Sequence, residues 1–200
     1  MSIFKGPMNM KRFQVEGDLS KDFRTDFEEL IRSFAFKSEA RDNQEKYGWV
    51  SVLNLLDTDF LNYNDWMMDH YIVLSLRVDK KKLPKSLYKA KCDEAIKAWC
   101  KEHGRERCPR QVKMDLKDTI EFAMYRQILA TPKTFDLIWD INTKLLLFDS
   151  HSDKACDILR VLFRNTFGLQ LRPLSALDMI DDQELVDALM LTTADEGSMQ

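Results

Sequence analysis

The sequence predicts an α+β protein in which antiparallel β-sheets carry packed helices and a basic helical hairpin projects. Three observations predict it. Apolar residues alternate in short runs near residues 69–78 and 135–149, the two-residue period of a pleated strand. Between those runs, two long stretches opened by Pro84 and Pro109 repeat apolar residues at the spacing of a helix face. Finally, 13 of the chain's 30 Lys and Arg fall between Arg77 and Lys113 against five of its 33 carboxylates, a local net of +8 in a chain of formal net charge −3.

Met8 to Val15 reads as a first strand. Ser20 can cap a helix whose Phe23, Phe27, Leu30, Ile31 and Phe34 recur on one face. A Gly48-Trp49-Val50 segment follows in a turn-rich region, and Asp57 to Asn64 reads as loop because Asn and Asp supply turn chemistry. Asp69 to Val78 is the clearest strand, apolar on both faces. Pro84 opens a helix striped by Leu87, Tyr88, Cys92, Ala95, Ile96 and Trp99 and ending near Gly104. Pro109 opens a second, with Val112, Leu116, Ile120 and Met124 inward, to about Ala130. A short Gly-containing loop between them gives an antiparallel hairpin.

Phe135, Leu137, Trp139 and Ile141 alternate, and Asn142-Thr143 turns that strand into a second over Lys144 to Asp149, a β-hairpin. Ser152 is an N-cap for a helix to Phe167, stopped by Gly168, with Ile158, Leu159, Leu162 and Phe163 inward. Leu169 to Leu171 is a short strand. Leu177 to Leu191 is a last amphipathic helix, and Thr192 to Gln200 a tail. The expected division is an α+β body over 1–78 and 131–176, a basic hairpin arm over 79–130, and an acidic C-terminal helix and tail over 177–200.

At 200 residues, 44% hydrophobic and 10% aromatic, the chain can bury roughly 70% of its unfolded surface, enough for one good core or two small ones. The N-terminus has no apolar stretch of a secretory signal, and no apolar run approaches bilayer length. A cytoplasmic protein without a membrane partner is expected. Cys92, Cys100, Cys108 and Cys156 are too few and scattered for a disulfide framework, so reduced thiols are expected.

The order of several short landmarks resembles the bacterial recombination-associated RdgC family. Phe4-Lys5 is followed by Arg12, then Gly48-Trp49-Val50, then a strand ending in basic residues and Leu83-Pro84. Leu116-Lys117-Asp118 is similar to the start of the family's second long helix, and Trp139-Asp140 to the strand after it. Asp149 to Leu159 and Pro173-Leu174-Ser175 are similar to its later αβ segment, so the series covers residues 3 to about 178. The resemblance implies an RdgC-like fold and a homo-oligomer, since the family forms ring-shaped dimers. It also implies sequence-independent binding of double-stranded DNA at the nucleoid and antagonism of RecA-driven recombination, although an exonuclease name also attaches to the family.

Two departures stand out. The family usually carries a further C-terminal portion that helps close the ring, which a chain ending at Gln200 is expected to lack. Met124-Tyr125-Arg126-Gln127-Ile128-Leu129 stands where the family shows a Leu-Leu-Pro-Arg-Ala-Phe type of sequence leading to an exposed apolar contact.

For DNA binding the candidate residues are Lys80, Lys81, Lys82, Lys85, Lys89, Lys101, Arg105, Arg107, Arg110 and Lys113, at a strand end and the ends of two helices. Clustered cations bind a phosphate backbone by releasing its counterions, even on an acidic protein. No helix-turn-helix or zinc-finger signature aims side chains at base edges, so the readout is expected to ignore sequence. On any protein, exposed Lys and Arg also serve simply as solubilising charge.

Three rivals follow from the same residues. Cys92, Cys100, His103 and Cys108 are metal-ligand types, but eight helical residues separate the first two by roughly 12 Å, unlike a zinc knuckle, and neither metal nor cofactor is expected. Asp136, Asp140, Asp149 and Asp153 with His151 could hold Mg²⁺ for a metal-dependent exonuclease, although they read more simply as turn and cap residues. No nucleophile elbow, phosphate loop or paired Cys and His marks an ordinary enzyme. Trp49, Trp66, Trp99 and Trp139 have the spacing of core or interface residues rather than stacking platforms. The third rival is an oligomeric interaction protein that binds no DNA, its last helix, with seven carboxylates and no Lys or Arg from Leu177 onward, docking on the basic arm of another subunit; the same helix could instead cover the basic face within one chain and inhibit DNA binding, and the sequence leaves both open.

Overall fold

The computed structural model describes residues 10–20, 22–37, 45–175 and 178. Strands β1 (Lys11–Glu16), β2 (Lys46–Val50), β3 (Met67–Met68), β4 (Tyr71–Lys80), β5 (Thr131–Asp140), β6 (Leu145–Phe148) and β7 (Gln170–Pro173) make one seven-stranded sheet. Helices α1 (Phe23–Ser33), α2 (Lys85–Glu102), α3 (Arg110–Gln127) and α4 (Asp153–Phe167) complete an α+β architecture, with a single 3-10 turn at Tyr63–Asp65. The strand order is β2-β4-β5-β6-β1-β7, with β3 paired to β4. The pairings of β1 with β6, β1 with β7, β5 with β6 and β3 with β4 are antiparallel.

By compactness the chain divides into a body (residues 1–35, 48–76 and 134–200) and a helical unit (36–47 and 77–133). The body's core forms where α1 and α4 bring apolar faces together. Phe27 and Ile31 of α1 and Leu159, Leu162, Phe163 and Phe167 of α4 are buried, the three- and four-residue spacing that lays side chains on one stripe. Phe27, Trp139, Phe163 and Phe167 meet ring to ring, with centroids 4.8 to 6.0 Å apart, the tilted and edge-on geometries that aromatic quadrupoles favour. Gly168 ends α4 with φ of 70°, the left-handed cap conformation that glycine adopts without a Cβ penalty.

Several sequence expectations are corrected. Ser20 does not cap α1: the cap position is Asp22, and the Ser20 hydroxyl donates to the Asp26 carboxylate at 3.0 Å. The central strand begins at Tyr71, not Asp69, because Asp69 takes φ of 56° in a tight turn that returns β3 onto β4. Neither β2 nor β3 was expected as a strand. α3 ends at Gln127, three residues early, since the chain must be extended by Thr131 to enter β5. The turn between β5 and β6 spans four residues, 141–144, with Lys144 at φ of 57°. Ser152 holds the cap position of α4, but its hydroxyl makes no capping bond. The expected Leu177 to Leu191 helix and its tail, like Met8 and Phe4, lie outside the described residues apart from Asp178.

Candidate nucleic-acid interface

Pro84 and Pro109 stand at the N-cap positions of α2 and α3, with φ of −68° and −57°, so each ring pre-sets the backbone for the helix that follows. The two helices run antiparallel. Tyr88, early in α2, feels the charges of Asp118 and Glu121, near the middle of α3, and the Lys81 ammonium just before α2 donates to the Tyr125 carbonyl near the end of α3 at 2.9 Å. Cys92 is the buried residue of α2 and Met124 that of α3. Burial, then the neighbouring Cys92 and the two carboxylates, pushes the Tyr88 phenol up to about 12.

All ten candidate cations fall in this unit, at two places. Lys80, Lys81, Lys82, Lys85 and Lys89 gather where β4 passes into α2; Lys101, Arg105, Arg107, Arg110 and Lys113 gather around the loop joining α2 to α3. At 1.5 Å per residue, Lys85 and Lys101 stand about 24 Å apart along α2. The ten therefore form two cationic ends rather than one patch, and the exposed Lys91 and Lys97, which the sequence reading passed over, lie between them. Nine of the ten are exposed, and none of the nine forms an ion pair among the described residues. Lys81 is half-buried, its charge already serving the Tyr125 carbonyl.

The helix starts sharpen this. Neither α2 nor α3 has an acidic residue in its first turn or a side-chain cap. Lys85 begins one helix, and Arg110 and Lys113 the other, where the macrodipole disfavours cations and favours anions. Such placement lowers helix stability and puts exposed cations in the same turn as amides that no side chain caps, groups that suit a phosphate.

A family model described as "Putative exonuclease, RdgC" matches residues 7–185. The chain belongs to the RdgC family. Membership places it broadly among recombination-associated, DNA-related proteins. Among curated proteins, no sequence matches the chain. No helix of the described residues is long and apolar enough to cross a membrane. In this RdgC-family chain, the Met124 to Leu129 segment closes α3 and leads to β5, with Met124 buried and Leu129 89% exposed.

The exonuclease in that description calls for carboxylates that converge on a metal, and the sequence-derived set does not converge. Asp136 is buried and accepts the Ser75 hydroxyl. Asp149 lies opposite it across the β5 and β6 ladder, giving its backbone N–H to the Asp136 carbonyl at 2.9 Å. Asp140 sits four residues along β5, about 13 Å away, where it accepts the Asn142 and Thr143 amides at 2.9 and 3.3 Å. Desolvation opposes its ionisation, but the Thr143 and Asn142 bonds and nearby His70 outweigh it and hold the carboxyl below its ordinary value. Asp153 pairs with Lys11 at 3.7 Å. His151 is exposed.

Among the described residues no three His, Cys, Asp or Glu form a group that could hold a metal ion. His103 stacks on Trp99 at 4.2 Å with its Nδ1 2.9 Å from the Trp99 carbonyl. Desolvation, then Cys100, raises the Cys108 thiol pKa despite Lys113. Trp49, Trp66 and Trp139 are buried, as their apolar spacing implied, whereas Trp99 is only half-buried on α2.

Proposed function

We propose that this RdgC-family protein binds double-stranded DNA without sequence preference, through phosphate contacts from its helical unit, and so acts in recombination or replication at the nucleoid. The observation that carries it is the set of nine exposed cations, without a carboxylate partner among the described residues, at the two ends of the α2 and α3 pair, three of them, Lys85, Arg110 and Lys113, in first turns that carry no acid. A small anion occupies one end only. With ends about 24 Å apart along α2, a polyanion of about seven base-pair steps at 3.4 Å reaches both. The family's ring-shaped dimers and their restraint of RecA motivate a homodimeric form and RecA antagonism for this chain as well.

The test is fluorescence anisotropy with labelled duplexes of unrelated sequence across a salt series. Log affinity should fall with a slope near −0.9 per phosphate neutralised, equally for each sequence, and a six-base-pair duplex should bind far more weakly than one of three helical turns. Replacing Lys80, Lys82, Lys85 and Lys89 by Glu should weaken binding to all duplexes alike and flatten the slope. Unchanged affinity in that variant would remove the helical unit from the reading. Absence of wild-type binding at low salt would leave the interaction protein in its place.

A further inference from the structure

We infer that the loop joining β2 to β3, residues 51–66, is a docking surface for a basic amphipathic helix of a partner protein. This one loop carries five of the twelve large apolar side chains that are exposed among the described residues: Leu53, Leu55, Leu56, Leu61 and Tyr63. Leu53, Leu56 and Leu61 are 66%, 73% and 75% exposed. Leu55 and Leu56 form the centre of the turn that the Asp57 amide closes on the Asn54 carbonyl at 3.0 Å, positions that Gly, Pro, Asn and Asp ordinarily take. Single exposed leucines need no explanation, but a concentration of them marks a contact surface.

The loop's own bonds hold these side chains out. The Ser51 amide donates to the Asp57 carbonyl at 3.0 Å, so Leu53, Leu55 and Leu56 ride on one closed segment. Phe60 is fully buried at φ of 47°, a left-handed conformation that strains a bulky residue. Arg32 of α1 secures it, donating to the Asp59 carbonyl at 3.1 Å and the Phe60 carbonyl at 2.9 Å. Leu61 follows directly, on the solvent side. Backbone strain that its surroundings over-determine concentrates at sites of binding.

Charge selects the occupant. From Tyr47 to Leu76 the chain has Asp57, Asp59, Asp65 and Asp69 and no Lys or Arg. Asp57, Asp59 and Asp65 form no ion pair among the described residues. Leucines interspersed with such carboxylates fit a partner that brings cations beside its apolar groups, and reject an acidic one. The amides of Ser51, Leu53, Leu56, Asp57, Asp59 and Asn62 already bond within the loop, which leaves no open row of N–H groups for an added strand. A helix satisfies its own backbone and presents Leu and Lys on adjoining faces.

Docking here does not depend on the DNA binding proposed above, and no nucleic acid enters the test. The probe is a labelled helix of Leu and Lys, roughly 18 residues or five turns, with its leucines on one face. Anisotropy should show it binding the full chain, at least about tenfold more tightly than a Leu and Glu helix of the same spacing. Replacing Leu53, Leu56 and Leu61 by Ser should weaken binding at least about a hundredfold and leave the urea midpoint in place, since all three are exposed. Asp57→Asn with Asp59→Asn should remove most of the salt dependence, while the side-chain oxygen at position 57 can still accept the amide of residue 59. Equal affinity of the wild type and the leucine variant, or equal binding of the Leu and Glu helix, would overturn the docking. Self-association that the leucine variant abolishes, with no binding of the Leu and Lys helix, would assign the loop to a second copy of this chain and overturn the partner helix.

Discussion

The Trp49 indole N–H donates to the Thr166 hydroxyl at 2.8 Å inside the body's core, and that hydroxyl donates onward to the Leu162 carbonyl at 2.8 Å. One side chain thus satisfies the indole and returns its own proton to the helix that carries it, fixing β2 against α4. Thr166→Val keeps the shape and removes the acceptor, leaving a buried N–H unpaired. It should cost about 1 to 3 kcal/mol, read as a lower midpoint in urea with an unchanged slope. Thr166→Ser keeps the hydroxyl and should lose less.

Within the helical unit, Arg77 and Asp79 form a nearly buried pair through two bonds of 2.7 and 2.8 Å, and the guanidinium lies 4.2 Å from the centre of the Phe36 ring. The two side chains are only 12% and 10% exposed. Asp79→Ala removes one partner from a desolvated pair and should destabilise by about 3 kcal/mol. Replacing both, Arg77→Met with Asp79→Leu, should recover much of that loss, because the buried charge deprived of its carboxylate by the single change is gone. A double-substitution cycle in urea measures both.

The Asp178 clamp predicts an acid limb. The Ser175 hydroxyl and amide, then Arg172, pull the carboxyl from its ordinary 3.8 down to about 2. A depressed folded-state value stabilises the fold above the unfolded pKa, and that contribution fades as pH falls from about 4 to about 2. NMR titration should place the Asp178 midpoint near 2. Ser175→Ala should move it upward, and Asp178→Asn should remove that part of the acid dependence of unfolding.

Much of the fold is legible because its helices carry their own punctuation. Pro84, Pro109 and Gly168 sit where the sequence alone put them, since fixed φ and freedom for positive φ are local properties. β2 and β3 were illegible for the opposite reason. Gly48-Trp49-Val50 and Met67-Met68 are too short to show alternation, and each becomes a strand by pairing supplied from elsewhere in the chain. The cation set was legible as composition, and the helix read from Pro84 to near Gly104 already placed its members at a strand end and at helix ends, as the 18 residues of α2 do. Lys81 shows the limit further: nothing local marks it as the donor to Tyr125, 44 residues away.

Asp140 separates the exonuclease reading from the turn reading. Its Oδ1 accepts the Asn142 and Thr143 amides, so Asp140→Asn can keep both bonds through the amide oxygen and should cost under about 1 kcal/mol. Asp140→Ala frees two amides at the turn and should cost more, about 1 to 2 kcal/mol. A metal-dependent nuclease that used this carboxylate would show Mg²⁺- or Mn²⁺-dependent loss of labelled duplex, abolished in Asp140→Asn despite its near-normal stability. The positions of Asp136, Asp149 and Asp153 lead to the opposite expectation: any loss of duplex should be the same for the wild type and for Asp140→Asn, as for a contaminant. Metal-dependent cleavage that vanishes in the Asn variant alone would place a catalytic carboxylate at the β5 and β6 turn and overturn the binding-only account.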